Sequence, residues 1–209
     1  MKYFDWTNKI DEKELKEVIE VLDNDGLVIF PTETVYGIAS KATSLKAVDK
    51  LYAAKKRPRD KAINIMVGDS KDISKYAKIN SEIEAKIIEE FMPGGITLIL
   101  DKVDDFGEGF TLSNNTIGVR IPNNTIALKI LKNISFPLTV PSANISNKPS
   151  GTEVNDIIDD FRNTVDIIID GGKSVDSIPS TIVRVEDNKI NILRQGKISE
   201  DEIKERVGI

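Results

Sequence analysis

Apolar residues along the chain recur with two spacings. Over 11–25, DEKELKEVIEVLDND, Leu15, Val18, Ile19 and Leu22 fall on one face of a helix and charged residues fill the rest. Asp11 followed by Glu14 is a helix-start signature, and Gly26 offers a stop. The next four residues, 27–30, are continuously apolar and predict a buried strand. Leu45, Val48, Leu51 and Tyr52 predict the inward face of a helix over 44–55, which ends at KKRP because Pro58 disfavours helical backbone at Arg57. Further strands are expected over 62–67, 96–100, 116–121, 138–140 and 165–169. Helical segments are expected over 70–77, 81–91, 124–132, 154–162 and 199–207, two of them opened by boxes, Ser81 with Glu84 and Ser199 with Glu202. A hairpin pairs 180–185 with 189–193 around Glu186-Asp187-Asn188, and 103–115 reads as a polar loop.

Strands alternating with helices, plus a hairpin, predict a mixed twisted sheet with helices around it. No repeat, low-complexity tract or composition break divides the 209 residues, so a single domain over 1–209 is expected. No apolar run approaches the ~18 residues of a membrane span, and MKYFDWTNKIDEKEL holds no signal-peptide core. The expectation is a cytoplasmic protein with no membrane contact.

The residues that are missing narrow the chemistry. With no cysteine and no histidine, the chain lacks disulfides, a thiol nucleophile, a Ser-His-Asp triad and histidine or thiolate metal sites. Lys, Arg, Asp, Glu, Ser, Thr, Asn and the backbone remain, a set suited to positioning anions. The net charge of −5 argues against a globally basic nucleic-acid binder. Yet Lys55, Lys56, Arg57, Arg59 and Lys61 crowd into 55–61, which suggests a small anion more than a long polyanion.

Four polar stretches sit at strand ends or turns, where a rigid sheet positions functional groups. PTETVYG, after the first strand, is either an ordinary turn or a set of hydroxyls facing a pocket, with Gly37 letting backbone approach a ligand. KKRPRDK holds more cations than a helix C-terminus needs, and Arg and Lys together suit phosphate. VPSANISNKPSGT is either a surface loop or a ring of hydroxyl, amide and N–H groups around a phosphate or ribose. Arg120 interrupts an apolar strand pattern and needs an anionic partner, an internal carboxylate or a substrate's. Ser180 and Arg194 close the set. Neither a P-loop nor a G-x-G-x-x-G fingerprint is present, so the residues alone stop at a cationic, hydroxyl-lined anion pocket.

In order, GLVIFPTETVYGIAS, KKRPRDKAINIMV, GVRIP, PSANISNKPSG, STIVRV and ILRQG resemble the YrdC/Sua5 family of L-threonylcarbamoyladenylate synthases over roughly residues 13–200. The resemblance implies an α/β (α+β) fold of the YrdC/RibB-like kind, an open twisted mixed β-sheet flanked by helices with a positive concave face. It implies that L-threonine, bicarbonate (or CO2) and ATP give threonylcarbamoyl-AMP and pyrophosphate. A separate threonylcarbamoyl transferase complex then modifies adenosine 37 of ANN-decoding tRNA, so contact with tRNA is indirect or weak. The family's K-x-R element matches Lys55 and Arg57, and its S-x-N element matches Ser142 and Asn144, a tetrad for ATP. Lys61, Thr116, Ser150 and Arg194 join the nucleotide side by the same resemblance, and Thr32, Thr34, Arg120 and Ser180 the threonine side. Mg2+ is expected to bind mainly through ATP, with no metal cage of the protein's own, and Glu33 is open to a helper's or a structural role. Many members carry His or another polar residue where this chain has Met66, which offers only backbone or van der Waals contact. Longer members add a C-terminal domain; the present chain, ending at Ile209, reads as the single-domain type. The competing reading is a module that binds tRNA or double-stranded RNA through the 55–61 cluster.

Overall fold

A computed structural model describes residues 1–103 and 115–209. Residues 104–114, most of the expected polar loop, lie outside the described residues. The elements run β1 (Lys2–Asp5), α1 (Glu12–Asp23), β2 (Val28–Phe30), β3 (Gly37–Lys41), α2 (Leu45–Lys55), β4 (Ile65–Met66), β5 (Ala77–Lys78), α3 (Glu82–Phe91), β6 (Ile96–Lys102), β7 (Thr116–Arg120), α4 (Thr125–Leu131), β8 (Leu138–Thr139), α5 (Ile158–Phe161), β9 (Ile167–Asp170), β10 (Thr181–Glu186), β11 (Lys189–Arg194) and α6 (Glu200–Val207). The described strands form one eleven-stranded mixed sheet in the order β1-β9-β2-β3-β8-β4-β7-β6-β10-β11, with β5 beside β6.

Helix starts follow the sequence closely. The Asp11 carboxylate accepts the N–H groups of Lys13 and Glu14, and Ser81 and Glu84 form a reciprocal capping box on α3. Ser199 caps α6 through the N–H of Glu202, but no return bond forms, and the Glu202 carboxylate lies 3.9 Å from Arg206 instead. Gly26 does not end α1. Asp25 takes the left-handed turn at φ 62°, and Gly26 leaves room for Val21, whose Cγ1 would lie 2.4 Å from an added Cβ.

Other expectations need correction. Leu45 is not inward: it opens α2 outside the core clusters and is 46% exposed. The strand expected over 62–67 shrinks to β4, because the Arg57 guanidinium takes the carbonyls of Lys61 and Ala62 at 3.2 and 2.7 Å. The 70–77 segment becomes a 3-10 helix, Ser70–Lys75, followed by β5. The 154–162 helix splits into a 3-10 turn, Val154–Asp156, and α5, as the Asp156 carboxylate folds back onto the N–H groups of Thr152 and Glu153.

Three apolar cores hold the sheet. α1 and α4 cover one side of the β1, β2 and β9 region, including Phe4, Val28, Phe30, Ile167 and Ile169. α2 and residues 154–165 cover Leu27, Ile29, Ile38 and Ile168 on the other. The third core positions the site. Ile96, Leu98 and Leu100 of β6, Ile117 and Val119 of β7, and Val183 of β10 pack against α3 and α6. Side chains alternate across a strand. The residues between them, Thr97, Arg120 and Ile182, therefore face away from α3 and α6, and they line a cavity.

Candidate active site

The cavity is open to solvent and takes in about 790 Å³ when that open space is included. Its walls come from the loop after β2 (Thr32, Thr34, Tyr36, Gly37), the segment after α2 (Arg57, Asn64, Met66), β6, β7 and β10, the 140–150 loop (Ser142, Ser150), and Ser180 and Arg194.

The loop after β2 is built on Thr32. Its hydroxyl donates to Val35 O at 2.6 Å and accepts the N–H groups of Thr34 and Val35, which closes the turn. Tyr36 is buried and donates its hydroxyl to Gly172 O at 2.7 Å, tying this loop to the end of β9. Burial pushes the Tyr36 phenol well above its ordinary range. Gly37 lines the cavity, but its missing side chain serves another approach than the one expected. A Cβ there would meet Val140 Cγ1 at 2.4 Å, so glycine lets the 140–150 loop dock alongside. The seam is hydrogen-bonded throughout: Ile38 N–H to Pro141 O, Ala143 N–H to Tyr36 O, and Tyr36 N–H to Gly151 O.

Arg120 finds the internal carboxylate that its position called for, and it also lines the cavity. It is 5% exposed and pairs with Glu33 at 2.7 Å. The same Nη2 donates to Thr34 Oγ1 at 3.0 Å, and Nε donates to Gly94 O at 3.0 Å. Nη1 has no protein acceptor among the described residues, while the side chain lines the cavity. Glu33 Oε2 is buried without a hydrogen bond. Arg194 donates twice to Ser180 O, at 3.2 and 2.7 Å, and to Ser180 Oγ at 3.1 Å. Burial, then the nearby guanidinium groups of Arg120 and Arg57, hold Arg194 below its ordinary value.

The two x-spaced pairs divide their labour. Arg57 and Ser142 line the cavity, while Lys55 and Asn144 stand behind it. Lys55, 1% exposed, donates to the carbonyls of Ser142 and Asn144, the latter at 2.6 Å. Burial first, and the Arg57 charge second, lower Lys55 from 10.5 to about 7. The Asn144 amide accepts from Ser142 Oγ and donates to the carbonyls of Ile145 and Lys148, fixing the loop's shape.

The rest of the cationic cluster disperses. Arg59 stacks on the Tyr52 ring, 4.6 Å from its centroid, and pairs with Asp49. Lys61 is exposed beyond the cavity wall. Thr116 starts β7 four residues from Arg120 and does not line the cavity. The structure thus brings Thr32, Thr34, Arg57, Arg120, Ser142, Ser150, Ser180 and Arg194 to one cavity, and leaves Lys55, Lys61, Thr116 and Asn144 off its wall. Sequence reasoning missed Asn64 and Thr97 as lining residues. Thr97 sits in ITLIL, where period-2 alternation was the available signal.

Among the described residues no group of three acidic, His or Cys side chains is placed to hold a metal ion, and no helix is long and apolar enough to cross a membrane.

Comparison with known proteins gives a consistent picture. The Sua5/YciO/YrdC family model, described as telomere recombination, matches residues 20–196. A Methanocaldococcus jannaschii protein, provisionally named a threonylcarbamoyl-AMP synthase, is 40% identical over 195 residues, 91% of each chain. The Pyrococcus abyssi threonylcarbamoyl-AMP synthase is 33% identical over 96% of this chain, which spans only 59% of that protein. A crystal structure of P. abyssi Sua5 complexed with L-threonine superposes with a TM-score of 0.94 at 32% identity, covering 100% of this chain and 61% of that one.

Proposed function

The chain belongs to the Sua5/YciO/YrdC family, and on that premise we propose that it is a threonylcarbamoyl-AMP synthase using L-threonine, bicarbonate or CO2, and ATP. The observation that carries this reading is the convergence of Arg57, Arg120 and Arg194 on one hydroxyl-lined cavity, where, among the described residues, the one carboxylate paired with them is Glu33, held by Arg120. Three guanidinium groups against one acid favour an anionic ligand.

In this reading the threonine amine forms a carbamate: its nitrogen adds to CO2, creating an N–C bond and releasing a proton, or displaces hydroxide from bicarbonate, where a C–O bond breaks and the amine proton leaves with it as water. A carbamate oxygen then attacks the α-phosphorus of ATP; the new O–P bond forms as the bond to the β-phosphate oxygen breaks and pyrophosphate leaves. The nucleophile is already anionic, so no covalent enzyme group is needed, which fits a chain without Cys or His. Catalysis then consists of alignment and charge neutralisation. Arg120 takes the threonine carboxylate, with Thr32, Thr34 and Ser180 around it. Arg57, Arg194, Ser142 and Ser150 face the nucleotide, with Lys61 and Thr116 at its margins. Lys55 and Asn144 act by holding the Ser142 loop in place. Any Mg2+ that the reaction needs would be held mainly by the triphosphate oxygens and water. The product would pass to a separate transferase complex acting on tRNA.

The test is pyrophosphate release from ATP with L-threonine and bicarbonate added singly and together. Release that needs both, and that serine supports poorly, is expected. No release from folded protein under any combination overturns the reading.

A further inference from the structure

Two hydroxyl pairs stand at the end of the cavity where Arg120 lies, and their hydrogen bonds fix which way the protons point. In the first pair, Thr32 uses its one hydroxyl hydrogen on Val35 O at 2.6 Å. The 2.9 Å contact between Thr32 and Thr34 must then be donated by Thr34. Thr34 Oγ1 also accepts from Arg120 Nη2 at 3.0 Å. It has no hydrogen left to donate, and it is fully buried in the cavity wall.

The second pair has the opposite polarity. Arginine only donates, so Ser180 Oγ accepts from Arg194 Nη2 at 3.1 Å. The 2.8 Å contact between Thr97 and Ser180 consumes one of their two hydroxyl hydrogens, whichever donates. No protein acceptor among the described residues receives the other. Both side chains line the cavity, and both are buried, Thr97 at 1% and Ser180 at 4% exposure. One O–H donor is therefore presented to the cavity. Leu98 pairs with Val119 on the antiparallel β6/β7 ladder, so Thr97 stands next to Arg120, whose Nη1 likewise has no protein acceptor among the described residues.

We propose that Thr97 is a recognition residue for the amino-acid substrate. With Ser180 it presents one O–H beside the Arg120 guanidinium, a two-donor seat for a carboxylate. The cavity reads the carboxylate of an α-amino acid by these two donors. The inference rests on the proposed function and adds a residue to it.

Initial rates of pyrophosphate release against L-threonine, at saturating ATP and bicarbonate, decide it in wild type, Thr97→Val and Thr97→Ser. Thr97→Val keeps the shape and removes the hydroxyl. Its KM for threonine should rise about tenfold or more, the loss of a hydrogen bond to a charged group. Its kcat and its KM for ATP should stay within about twofold, since carboxylate seating contributes equally to ground and transition states. Thr97→Ser should restore wild-type behaviour. If the valine variant does not fold, Thr97→Ala must give the same split. A threonine KM unchanged in a folded hydroxyl-free variant, or threonine and ATP KM values rising together, overturns the inference while leaving the proposed function intact. Wild-type protein without threonine-dependent release overturns both.

Discussion

Lys55→Met separates two opposing effects at one buried atom. The ammonium of Lys55 serves the carbonyls of Ser142 and Asn144. Removing it strands two buried acceptors, at about 1–3 kcal/mol each. The same change relieves a buried charge. Burial, helped by Arg57, lowers Lys55 from 10.5 to about 7, and a fall of that size is about 5 kcal/mol against the charged form. The effects are of like size and opposite sign, so at pH 6 the variant should unfold within about 2 kcal/mol of wild type. Proton linkage then divides them. Below pH 7 the lysine is protonated in folded and unfolded chains alike. Between pH 7 and 10.5 the unfolded chain binds the extra proton, so this contribution makes wild-type stability rise with pH. Methionine has no such dependence. From pH 7 to pH 9 wild type should gain on the variant by about 2 kcal/mol. Urea unfolding of both proteins at pH 6, 7, 8 and 9, at constant ionic strength, measures the difference. A difference that stays flat would show that Lys55 titrates normally, and the account of the wall behind Ser142 would fail.

Three further outcomes are expected. Arg57→Ala should cut turnover about 30-fold or more, the loss of about 2–4 kcal/mol of transition-state stabilisation, with the fold retained by circular dichroism; wild-type-like rates contradict its placement at the phosphates. Arg120→Ala should raise the threonine KM far more than the ATP KM, and should cost about 3–5 kcal/mol in urea unfolding because it leaves the Glu33 carboxylate buried and unpaired. Adding Glu33→Gln should recover part of that stability, and a double variant no more stable than the single one would show that the pair is not the cause. Gly37→Ala should destabilise by about 1–3 kcal/mol through its clash with Val140, and Val140→Ala in the same chain should recover most of the loss; no recovery places the strain elsewhere.

The sequence was most legible where local chemistry decides the structure. Asp11 and Ser81 cap the helices that their positions announce, and the Asp187-Asn188 turn joins the expected hairpin, both residues in the left-handed region. It was least legible where a tertiary partner decides. β3 is GIASK, with no β-branched alternation, yet it is a central strand held between β2 and β8. β1 has a single buried residue, Phe4, and exists because β9 lies beside it. The cavity-lining members of the candidate site were visible as polar residues at strand ends. Which of them face inward was not: Lys55 and Arg57 are two residues apart, yet one lies behind the wall and the other in front, because Lys56 takes a left-handed turn between them at φ 49°. Thr97 was hidden because a threonine inside an apolar strand looks like packing until Ser180 and Arg194 are brought beside it.

On β6, β7 and β10, core and cavity are interleaved residue by residue. An inserted or deleted residue within 96–100 or 117–120 would exchange the two sets, turning the Arg120 guanidinium toward α3 and α6 and Val119 toward the cavity. Packing and chemistry would be lost in one step. Substitution can retune this site one side chain at a time, but a change of length in these strands cannot. Evolution of the pocket is therefore confined to changes that keep the strand frame, and insertions are accommodated only in connections such as the turn between β10 and β11.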